Sequence, residues 1–105
     1  MRRVDGVMRE VIGATIGAEL QDPRIGFVTV TAVETSPDLR SAQVHVSVLG
    51  TDEEKDATME GLRAAHGVIQ KAISTQLRMK RTPSLTFVYD DSIERADRLT
   101  RMMDS

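Results

Sequence analysis

Leu62-Arg63-Ala64-Ala65-His66-Gly67-Val68-Ile69-Gln70-Lys71-Ala72-Ile73-Ser74-Thr75-Gln76-Leu77-Arg78 is the stretch on which the fold turns. Its second half has a helical rhythm. Ile69, Ala72, Ile73 and Leu77 recur at three- and four-residue steps and form an apolar face. Gly67, Lys71, Ser74 and Arg78 form the opposite stripe. The rhythm enters from upstream, where Thr51 with Glu54 three residues on spells a capping box, and Asp52 and Glu53 suit a helix N-terminus. A helix over residues 52–64 follows. Ala65-His66-Gly67 then interrupts, so the segment is either one long helix with a weak point or two helices meeting at Gly67. Two helices are the better reading, since a sharp kink needs a cause and glycine supplies one.

Before this segment, residues 41–49 alternate cleanly, with Ala42, Val44, Val46 and Val48 on one side and Gln43, His45 and Ser47 on the other. That is a strand with one buried and one wet face. Residues 26–35 are rich in β-branched residues and read as a second strand. Ser36-Pro37-Asp38 is turn chemistry, so the two form a hairpin. Residues 4–21 carry Val4, Met8, Val11, Ile12, Ile16 and Leu20 at helical spacing, and Asp22-Pro23 ends that helix. Gly13 and Gly17 inside it are costly, and close packing on a sheet would explain them.

After the segment, Thr82-Pro83 stops the helix. Leu85, Phe87 and Tyr89 alternate with Thr86 and Val88 in a third strand. Asp90-Asp91-Ser92 caps a last helix with Ile93, Ala96, Leu99, Met102 and Met103 on one side. The expected fold is α+β, in the order α-β-β-α-(kink)-α-β plus a short C-terminal helix. Its three-stranded sheet needs helices over the apolar face. If the helix pair crosses to an adjacent third strand, that strand pair is parallel and the crossover right-handed.

A chain of 105 residues with 40% hydrophobic and 29% charged residues is expected to be a single soluble domain, residues 1–105. It has no cysteine, which removes disulfides, thiolate zinc and Cys nucleophiles. With two histidines, no metal or other cofactor is expected. No apolar run approaches a membrane span, and Arg2-Arg3 is not followed by an export signal's apolar region. A cytoplasmic protein that avoids membranes is the expectation.

The net charge of −2 hides a segregation. Residues 51–62 hold five acids against Lys55. Residues 63–83 hold Arg63, Lys71, Arg78, Lys80 and Arg81 and no acid. Charge placement decides where a polyanion could land. Lys71 and Arg78, with Gln70, Ser74 and Thr75 beside them and Lys80 and Arg81 beyond, can neutralise several phosphates; a merely solvated helix face is the alternative. A bare helix N-terminus at Gly67 would add unpaired N–H groups. Phe27, Phe87 and Tyr89 lie in strands and serve the core, so no stacking platform is expected.

Catalysis is weakly supported. His45 falls on the outer strand face as an exposed polar residue. His66 sits at the kink, as a ligand contact or as a solvent-facing turn residue. Asp90-Asp91 reads as a helix cap, and Gly61 and Gly67 fit no phosphate-loop spacing. No small-molecule substrate is implied.

The element order matches a type II KH domain, but Ala65-His66-Gly67 stands where that fold's Gly-x-x-Gly loop would lie. This departure, with Asp22-Pro23-Arg24-Ile25-Gly26-Phe27-Val28-Thr29-Val30, Val33 through Leu39, Ala42 through Gly50, and Arg78 through Pro83 leading to Phe87-Val88-Tyr89-Asp90-Asp91-Ser92, resembles bacterial ribosome-binding factor A. The resemblance covers residues 3–100. It implies a KH-like, monomeric assembly factor that binds free small ribosomal subunits and their rRNA. It further implies a role in late maturation, including processing of the rRNA 5′ end, and in growth in the cold. Family members often continue with a polar tail. Ala65 and Gly67 match the family's interhelical positions, His66 its variable middle position, and Arg78, Lys80 and Arg81 its basic run. Arg24 matches the basic residue of the Asp-Pro-Arg segment, where pairing with a local carboxylate is the other reading. Lys71, Ser74 and Arg63 join on charge and face. A small α/β protein-interaction or regulatory domain, using a sheet edge or the acidic helix, is the competing reading.

Overall fold

The computed structural model describes residues 3–18 and 20–104. Helix α1 (Arg3–Ala18) precedes β1 (Phe27–Thr35) and β2 (Ser41–Leu49). Helices α2 (Asp52–Ala64) and α3 (His66–Leu77) lead to β3 (Ser84–Tyr89) and α4 (Ser92–Asp104). The sheet order is β1-β2-β3, with β1 antiparallel and β3 parallel to β2. This is the mixed sheet that the element order predicts.

Alternation in β2 puts Ala42, Val44, Val46 and Val48 against the helices, each 3% exposed or less. Met8 and Ile12 of α1, Leu62 of α2, and Ile69 and Ile73 of α3 close over them, all fully buried. Each such aliphatic side chain contributes about 1.5–3 kcal/mol. Asp5 on α1 is buried and accepts from the Thr35 backbone N–H at 3.2 Å and hydroxyl at 2.6 Å, which pins α1 to the end of β1.

In β1 the register with β2 shifts between Val30 and Ala32, leaving Thr31 as the extra residue of a bulge. The phase of β1 therefore changes. Val28 and Val30 face the core before the bulge, and Val33 and Thr35 after it, opposite Val48, Val46, Val44 and Ala42. The Thr31 hydroxyl donates to Asp90 Oδ2 at 2.7 Å, tying the bulge to the end of β3.

Several expectations need correction. The described part of α1 ends at Ala18, and Glu19 lies outside the described residues. The chain that follows is claimed by α2: Thr58 Oγ1 donates to the Arg24 carbonyl and accepts from Gly26 N–H, and Ile25 sits where a side chain on Gly61 would go. Gly13 and Gly17 are exposed with open space around them, so sheet packing does not explain them. Phe27 does not serve the core; it is 80% exposed, because it starts β1 on the face away from the helices. Helix α3 stops at Leu77, well before Thr82-Pro83, because Arg78 adopts left-handed geometry at φ 51° and ψ 42°. His45 is more enclosed than an open outer-face residue, with its side chain 24% exposed and its Nε2 3.6 Å from Glu34. The apolar side of α4, with Ile93, Leu99, Met102 and Met103, faces solvent.

Candidate nucleic-acid interface

The α2 capping box forms as the sequence predicts, with Thr51 and Glu54 bonding each other's backbone N–H groups. The interruption falls at Ala65, not at Gly67. Ala65, at φ −90° and ψ 6°, ends α2 and begins α3. At this junction backbone N–H groups donate to the carbonyls of Gly61, Leu62 and Arg63 and close α2, while no side-chain cap bonds the start of α3. Gly67 has open space around it and a place inside α3. His66 Nδ1 lies 2.9 Å from the Arg63 carbonyl, which can only accept, so the ring N–H donates there. Arg63 and His66 border a recess of about 270 Å³ whose other wall is Leu85, Thr86 and Phe87 of β3.

Beyond α3 the chain does not stream away. Ser74 Oγ donates to the Met79 carbonyl at 3.4 Å, and Gln70 Nε2 donates to the Pro83 carbonyl at 2.9 Å. Residues 78–83 therefore fold back along α3, with Met79 packed on the core and Pro83 buried. Lys80 and Arg81 are left exposed, as are Lys71 and Arg78. Arg78 caps α3 instead of continuing its stripe, so the cationic strip is made from a helix face plus a return loop. Ser74, a candidate contact by sequence, is half-buried and its hydroxyl is engaged within the chain. In the sequence Gln70 is only a polar neighbour of the stripe; its tether to Pro83, thirteen residues on, is a finding of the structure.

Of the other described cations, Arg3, Arg9 and Arg98 are also exposed and outside the ion pairs, and five are engaged. Arg24, Arg40, Lys55, Arg95 and Arg101 each meet a carboxylate at 3.9 Å or less. Among the described residues, Arg63, Lys71, Arg78, Lys80 and Arg81 have no such ion pair. Arg24 does not join the strip. It bonds Asp22 through two nitrogens and stands 3.7 Å from Glu60. The Arg24 hydrogen bonds hold the Asp22 carboxyl down at about 2. Asp90 and Asp91 are not a catalytic pair, since Asp90 accepts from the Ser92 N–H and Asp91 pairs with Arg95. A wider groove of about 1060 Å³ opens between α2 and α4, but its walls mix Asp52, Asp56 and Asp97 with Lys55, Arg98 and Arg101. Among the described residues, no helix is long and apolar enough to cross a membrane.

An α-β-β-α-α-β core with a broken helix pair, and exposed cations on α3 and its return loop, defines a KH-like fold. The family model of ribosome-binding factor A matches residues 1–103, and the chain belongs to that family. Ribosome-binding factor A of Thermomicrobium roseum is 45% identical over 101 residues, which are 96% of this chain and 78% of that protein. The Halothermothrix orenii protein is 44% identical over 102 residues, 97% of this chain and 84% of its own length. The crystal structure of ribosome-binding factor A from Thermus thermophilus superposes with a TM-score of 0.73 at 27% identity. That match covers 82% of this chain and 90% of that one. A Thermus thermophilus homology model fitted into a cryo-EM map of a 30S complex gives a TM-score of 0.69 at 28% identity, over 83% and 91% of the two chains.

Proposed function

We propose that this protein binds free small ribosomal subunits through their rRNA and assists late maturation without catalysing a reaction. The observation that carries this reading is the concentration of Arg63, Lys71, Arg78, Lys80 and Arg81 in a stretch with no acid, all five exposed and without a carboxylate partner among the described residues. Unpaired surface cations cost nothing to redirect towards phosphates, whose condensed counterions they release. The fitted 30S complex of the Thermus relative supports the same partner. The protein acts as a monomer in the cytoplasm. It docks the Ala65 break and the strip on immature rRNA and holds one arrangement of helices against competing ones. Help with 5′-end processing and with growth in the cold follows from that action.

Gradient co-sedimentation with cell ribosomes tests this. The protein should travel with free small subunits, avoid assembled ribosomes, and come off as salt rises. The logarithm of affinity should fall with log salt at a slope of about −4 if most of the strip neutralises one phosphate per cation. Arg78→Glu with Arg81→Glu should abolish association while the circular dichroism spectrum stays unchanged. Normal association of that folded variant would remove the strip from the reading.

A further inference from the structure

We propose that the Phe27–Leu49 end of the sheet docks a basic protein segment, so that on the small subunit this end meets a protein while the strip meets RNA. The proposal rests on the rRNA-binding reading above. Phe27 and Leu49 are direct cross-strand partners, the first residue of β1 and the last of β2. They are 80% and 76% exposed, a paired apolar surface left in water.

The pair is held firmly. Gly26 N–H donates to Thr58 Oγ1 beside Phe27. Beside Leu49, Gly50 takes φ 146°, where a Cβ would meet Glu54, and the α2 capping box follows at once. A rigid surface loses little entropy when covered.

Charge decides the occupant. Asp52 and Glu53 stand three and four residues after Leu49, exposed and outside the ion pairs found among the described residues. Arg98 lines the same groove as Asp52, but residues 51–62 hold five acids against one base, and the cations beside them are largely engaged. Arg24 is held by Asp22 and Glu60, and Lys55 by Glu94 at 3.2 Å and by the Tyr89 ring. The field here is negative. It opposes a phosphate chain and therefore a base stacked on Phe27, and it favours a basic polypeptide. By contrast, the apolar side of α4 has both signs of charge around it, which selects no partner.

Distance allows both ends to work together. β3 begins opposite Ser41, just after the basic loop, so the strip's loop lies at the Ser41 end of β2. Leu49 is eight residues further on, roughly 26 Å at strand rise. RNA at one end leaves the other free.

The test compares intact small subunits with the same rRNA stripped of protein. Phe27→Ser with Leu49→Ser, and separately Asp52→Lys with Glu53→Lys, should each weaken binding to intact subunits at least about fivefold. The first pair should bind stripped rRNA like the parent, and the second no more weakly than the parent. The first pair changes exposed side chains and the second keeps the Thr51–Glu54 box, so a fold defect in one leaves the other informative. Equal losses on both substrates would overturn the proposal in favour of a base on Phe27. Unchanged binding to both would also overturn it. Failure of the underlying reading looks different: the parent then binds neither substrate, and the two fall together.

Discussion

The side-chain amide of Gln70 donates to the carbonyl oxygen of Pro83 at 2.9 Å, and this bond fastens the second turn of α3 to the residue just before β3. The loop between them carries Arg78, Lys80 and Arg81, so one neutral hydrogen bond governs where three charges stand. Pro83 is fully buried, and its carbonyl would otherwise want a partner.

Gln70→Leu should therefore destabilise the fold by about 1–3 kcal/mol, the cost of an unsatisfied buried acceptor. It should also weaken small-subunit binding although no charge is lost. Urea unfolding gives the first quantity and gradient co-sedimentation the second. Amide exchange of residues 78–82 should quicken. Faster exchange with undiminished binding would show that the strip works without being fixed.

Arg78 sits in the left-handed region, which costs a side chain about 1 kcal/mol or more relative to glycine. Arg78→Gly should therefore raise stability by about 0.5–1 kcal/mol while small-subunit binding falls. Arg78→Ala removes the same charge without relieving the backbone. Comparing the unfolding midpoints of the two variants separates the effects, and equal midpoints would contradict the strain account.

Asp90 gives the protein an acid-sensitive joint. The Ser92 backbone N–H and then the Thr31 hydroxyl hold its carboxyl down from the ordinary 3.8 to about 2. A carboxyl lowered in the folded state stabilises it above the unfolded value, and that stabilisation is lost as pH falls from about 4 towards 2. Thr31→Val removes one donor and should bring the carboxyl back up. The stability deficit of this variant should be largest above pH 4 and shrink towards pH 2. Denaturant unfolding across pH 2.5–7 checks this, and a deficit independent of pH would assign the loss to packing at the bulge.

Local signals were legible where they were sufficient. Thr51 and Glu54 needed only each other, and the valines of β2 needed only an inside and an outside. The positions that escaped depend on partners distant in the chain. The segment around Asp22-Pro23 is shaped by Thr58 and Gly61. Arg78 ends α3 because the return loop is held by Ser74 and Gln70, a tertiary demand that overrides helical rhythm. Ala65 breaks the helix pair although Gly67 is the better breaker by propensity. Phe27 was misplaced because an aromatic in a β-rich run reads as core unless its phase against the neighbouring strand is known. The basic residues of the strip were all visible, but not that three of them stand on a loop bonded back to Ser74 and Gln70.

The bulge at Thr31 makes β1 two short strands spliced out of step. A window of alternation slid across residues 27–35 finds no single inside, and the count of residues between Gly26 and Ser36 becomes part of the code. Losing Thr31 would leave Val28, Val30 and Val33 alternating regularly on one face, but it would remove the hydroxyl that reaches Asp90 at the end of β3. In β1 the irregular residue is a connection: what breaks the strand's rhythm is what ties its middle to the far strand.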